Sequence, residues 1–187
     1  MDRLAHWARP ILFVTSVLLL VGASVTVMGM PLIGWGLFGV GLVGALLAFP
    51  AAVAVNRGAM DWLAWLALGV LLVGIVLSIP VLAMVWWRYV ENPALHDAVM
   101  PRAVMPLGMW AGVVFWAGVM LFGLATWRTW SLPLASSIVF IIAAALGLDA
   151  ELGWLPTWGW GLAVVFLASG LAWVAATLSE RPRLVSG

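Results

Sequence analysis

The chain has no cysteine and no lysine, it has only two histidines, and charged side chains make up 8% of its 187 residues. Each shortage closes a class of chemistry. Without thiols there is no disulfide, thiolate nucleophile, iron–sulfur cluster or cysteine-built zinc site. Without lysine there is no Schiff base to a carbonyl or a retinoid. A net charge of +1, with no run of like charges, offers nothing to a nucleic acid backbone, so nucleic acid is excluded as a partner. No phosphate loop, nucleophile elbow, metalloprotease helix or ATPase signature is present, and no cofactor is expected.

What the chain does have is apolar residues, at 66% of the total. They come in runs of about 17 to 25, the length that crosses ~30 Å of hydrocarbon. The spans predicted from those runs are residues 11–28, 33–55, 62–86, 107–127, 132–148 and 158–178. None of them contains Asp, Glu, Lys, Arg or His. The first run exceeds the roughly 7–15 apolar residues of a signal-peptide core, so it reads as a retained span. Turn and loop residues lie at every junction, with the longest connection at residues 87–106. The expected fold is therefore all-α, one polytopic transmembrane bundle of six spans occupying residues 1–187.

Arginine placement orients it, because basic residues in short loops stay on the cytoplasmic side. With both termini inside, Arg3, Arg9, Arg57, Arg128, Arg181 and Arg183 are cytoplasmic, and only Arg88 and Arg102 lie outside. The same topology sorts thirteen of the fourteen tryptophans into two interfacial belts, with Trp116 left near the middle of a span. The expected location is a plasma membrane of bacterial type, with membrane lipid as the first partner and protein subunits or further copies of the chain as others.

Within the bundle, Gly41, Gly44, Ala48 and Ala52 share one face of the second span, and Gly108 and Gly112 open the fourth. Such small-xxx-small spacing lets helices approach closely. Pro50 and Pro80 remove backbone donors from the second and third spans and predict local kinks. Embedded hydroxyls, among them Thr15, Ser16, Ser24, Thr26, Ser78, Ser136, Ser137 and Ser169, are expected to bond back to their own helices. His6 and His96 fall on opposite faces and do not pair as haem ligands.

The remaining polar groups gather on the outer face. Arg88, Glu91, His96, Asp97 and Arg102 share the long connection, and Asp149 and Glu151 begin the next outer loop, at residues 149–157. Histidine with carboxylates is a donor set for a divalent ion, but no ligand spacing is present. A solvated cluster with no metal is expected. Pro93 and Pro101 frame a short predicted helix over residues 93–100. The leading functional expectation is a non-catalytic accessory or structural subunit of a membrane complex. A small transporter or channel-like protein for an apolar or neutral solute comes second, and an outer-face enzyme using His96 and nearby carboxylates third.

Overall fold

Backbone stop signals, and not the first charged residue, set where each helix ends. The computed structural model describes residues 2–28, 30–55, 60–92, 105–154 and 158–178. Among these residues there are six α-helices: α1 (Asp2–Val27), α2 (Pro31–Val55), α3 (Trp62–Glu91), α4 (Met105–Thr129), α5 (Leu134–Glu151) and α6 (Trp158–Thr177). All six are long and apolar enough to cross a membrane. The chain is an all-helical protein of integral-membrane type. The predicted helix at residues 93–100 lies outside the described residues.

Three boundaries differ from the hydropathy reading. Helix α1 begins at Asp2 and carries Pro10 inside it. Helix α3 runs on to Glu91, where the Asn92 N–H bonds the Arg88 carbonyl, and Pro93 follows in the sequence. Helix α5 does not stop at residue 148. It continues to Glu151 and closes in a Schellman turn, with Gly153 at φ 75°. The Trp154 N–H bonds the Asp149 carbonyl at 2.9 Å, and the Gly153 N–H bonds the Ala150 carbonyl at 3.2 Å. Charge ends a run of hydropathy, but it takes a left-handed glycine to end this run of hydrogen bonds.

The helices pack as a ring in sequence order, each against its neighbours, with α6 closing on α1 and α2–α3 the loosest seam. Glycine allows the close approaches. In the α1–α2 hairpin, a Cβ on Gly22 would stand 2.6 Å from the Phe38 backbone nitrogen, and one on Gly41 would stand 2.9 Å from Leu19. A Cβ on Gly44 would meet the Thr15 hydroxyl at 2.7 Å. Ala48 and Ala52 are buried on the same helix. In the α3–α4 hairpin the backbone contacts are Gly74 on Phe115 and Gly118 on Leu71. The α4–α5 pair runs antiparallel in a steady register: Thr126 meets Ser137, Trp116 meets Gly147, and Gly112 meets Glu151.

The centre of the bundle is aromatic. Phe49, Phe122 and Phe140 are fully buried, and their ring centroids lie 5.3 to 6.2 Å apart. Most embedded hydroxyls do bond within their own helix, as Ser24, Thr26, Ser78 and Ser169 show. Ser16 departs from that expectation, and Thr126, which bonds back to the Phe122 carbonyl at 2.9 Å, also links to the next helix. Ser16 donates to the Ala168 carbonyl of α6 at 2.7 Å, and Thr126 pairs with Ser137 at 3.0 Å.

Candidate functional site

Because neighbouring helices alternate in direction, the start of α2, the later part of α3, the first half of α4, the end of α5 and the start of α6 share one end of the bundle. They surround a cavity of about 730 Å³, within the roughly 300–1,000 Å³ typical of small-molecule sites. Its walls are apolar. Phe38, Leu42, Val81, Val85, Ala111 and Phe115 are all buried there, and the exposed Met105, Pro106 and Met109 mark its rim.

Five aromatic side chains line the space, and they touch one another. Trp160 lies 5.3 Å from Trp35 and 4.9 Å from Phe38 between ring centroids, and Phe115 lies 4.9 Å from Trp116. Trp35 and Trp160 turn toward this interior. Trp86 stays half-exposed and ties α3 to α2, its indole N–H reaching the Leu32 carbonyl at 3.1 Å.

Two polar groups stand out on these walls. Helix α5 buries Ser136, Ser137, Phe140, Ala143, Ala144 and Gly147, a stripe whose next helical step is Glu151. Its carboxylate therefore turns back against α4 and lies on Gly112, where any Cβ would collide with it. Trp116, one turn further along α4, packs its indole on Gly147 with the same intolerance of a Cβ. The Trp116 side chain is 1% exposed, and its indole nitrogen is buried and completes no hydrogen bond, although the Glu151 carboxyl is the acceptor beside it. Removing a carboxylate from water costs several kcal/mol unless a proton, a cation or donors compensate. Among the described residues no cation reaches Glu151; the ion pair found there, Asp61 with Arg128 at 3.7 Å, is at the opposite end.

Four members of the outer cluster drawn from the sequence fall among the described residues. Arg88 and Glu91 are exposed on the last turn of α3, where Glu91 accepts from the Trp87 indole of its own helix at 2.7 Å. Asp149 and Glu151 belong to α5 and not to a loop, and of the two only Glu151 lines the cavity. His96, Asp97 and Arg102 lie outside the described residues. Among the described residues no three His, Asp or Glu side chains group as a metal site.

The small residues also divide. Gly41 and Gly44 face α1 as close-packing positions. Gly108 lines the cavity, and Gly112 admits the Glu151 carboxylate of α5. Gly74 and Gly118 do carry the α3–α4 approach; Gly118 stands in no small-xxx-small pair on its own helix, and Gly74 pairs only with Ser78. Sequence reasoning named Glu151 only as a loop member of the outer cluster, and it missed Trp116 as a site residue. The available signal was Gly153, whose position one residue past a helix cap extends α5 far enough to include Glu151.

Compared with known protein families, with curated proteins and with solved structures, the chain matches none. The fold and the site together define a class, a ring of six membrane-type helices around one end-on apolar cavity. What it does is argued from that geometry.

Proposed function

We propose that the protein is an integral membrane binding or carrier protein for a small, largely apolar molecule, which it holds in the cavity lined by α2 to α6. The observation that carries this reading is the cavity itself. Helices in lipid associate through close van der Waals contact, and a void among them forfeits that contact. A subunit that only packs against neighbours needs no such space, so the carrier reading stands above the accessory-subunit one. The exposed apolar side chains around the bundle are of the kind that lipid covers. The arginine distribution supports cytoplasmic termini in a plasma membrane of bacterial type, which puts the cavity mouth on the outer face.

The test is saturable binding of a neutral naphthalene fluorophore to the purified protein in lipid nanodiscs, measured against empty nanodiscs. One site per chain is expected, lost in Gly108→Trp and kept in Leu66→Trp on the lipid-facing side of α3. No binding above empty nanodiscs, or equal binding by both variants, would sink the reading. Reporter fusions at the C-terminus and between α3 and α4 test the orientation and should report opposite sides, with the C-terminus inside.

A further inference from the structure

Three features of the cavity converge on one kind of ligand. The first is a single carboxylate, Glu151, set into apolar walls by Gly112 with no cationic partner among the described residues. The second is the Trp116 N–H beside it, buried with its hydrogen bond unmade. The third is the aromatic lining from Trp35, Phe38, Phe115, Trp116 and Trp160. Ring faces attract cations, most of all cations that are weakly hydrated and carry apolar substituents. A divalent metal would instead demand several oxygen ligands, and the carboxylate stands alone.

We infer that the cavity binds an organic ammonium ion with an apolar body, the Glu151 carboxylate serving as its counter-charge and the aromatic walls enclosing its substituents. This rests on the binding function proposed above and names the ligand class for that same site. With the ligand bound, the Trp116 N–H completes its hydrogen bond to one carboxylate oxygen and holds it in place, which leaves the other oxygen to the ligand. The apolar body fills the space between Leu42, Val81 and Ala111. The occupant is a free small molecule entering at headgroup level past Met105 and Met109.

The experiment displaces the neutral fluorophore with two competitors of equal shape, a phenylalkyl trimethylammonium and its uncharged tert-butyl analogue. The parent protein should bind the ammonium at least about tenfold more tightly than its analogue. Glu151→Gln should bring that ratio near one while the fluorophore and the neutral competitor still bind, and Glu151→Asp should keep part of the preference. A ratio near one in the parent, or one unchanged by Glu151→Gln, overturns the ammonium assignment and leaves the apolar binding function standing. Failure of the fluorophore itself to bind removes the underlying function instead. A preference that emerges only in Arg102→Gln would make the chain's own arginine the counter-ion and overturn the proposal. So would occlusion of the site by phosphatidylethanolamine in the nanodisc, which would assign it to a lipid headgroup.

Discussion

At the end of the bundle where α2 meets α3 and α4 meets α5, the axis is filled by Phe49, Phe122 and Phe140 and braced by the Thr126–Ser137 hydrogen bond. At the other end the same helices stand around about 730 Å³ of space. Helix α4 shows the cause. Its first half presents Gly108, Ala111 and Gly112 inward, and its second half presents Val119 and Phe122. Small side chains in the second half of the bundle are matched by something that fills the gap they leave, as Gly123 is by Ile141. In the first half Gly112 is matched by a carboxylate, and Gly108 and Ala111 line the cavity. One end is built to hold the helices together, and the other gives up contact for room.

That contrast predicts opposite consequences for substitutions at the two ends. The largest loss should follow Phe140→Ala, which empties the centre of the packed end at a cost of about 3–5 kcal/mol. Thermal unfolding in detergent should show it, with fluorophore affinity little changed in whatever protein remains folded. A melt like the parent's would mean that the packed end is not where stability resides.

Gly44→Leu comes next, at roughly 1–3 kcal/mol from overpacking against Thr15, while Val43→Leu on the exposed side of α2 should leave the melting curve in place. If both variants melt like the parent, the α1–α2 contact is looser than the glycine stripe implies. Thr126→Val removes one member of a buried pair and should cost only about 0.6 kcal/mol, the usual worth of such a bond between membrane helices. A much larger cost would show that Ser137 finds no substitute partner.

The smallest effect on stability belongs to the cavity end. Gly108→Leu adds a side chain at a residue that lines the cavity and should change stability by less than about 0.5 kcal/mol, yet it should weaken fluorophore binding clearly. A variant that lost stability and kept binding would reverse the assignment of the two ends.

Some of this was legible in the chain before any tertiary contact was known. Six apolar helices follow from run length, because lipid as solvent demands continuous hydrophobicity and internally paired backbones. The Gly41 and Gly44 stripe was legible as a packing face, although only the fold names α1 as the helix it meets. Helix ends were less legible, since the reading stopped spans at charges such as Asp149 while the backbone stopped at Gly153. Which face of α5 is buried depends on where α4 and α6 stand, so the inward turn of Glu151 was not readable from residues 134–151 alone. The same holds for Gly112, whose spacing with Gly108 suggests a helix contact but whose neighbour is a side chain from another span. The sequence by itself determined how many times the chain can cross a membrane and which chemistries it lacks, because those depend on composition and local periodicity. Only the tertiary structure decided that one carboxylate, one buried indole N–H and a set of aromatic rings, together from four helices, share a cavity, because side chains so far apart in the chain are brought together by packing alone.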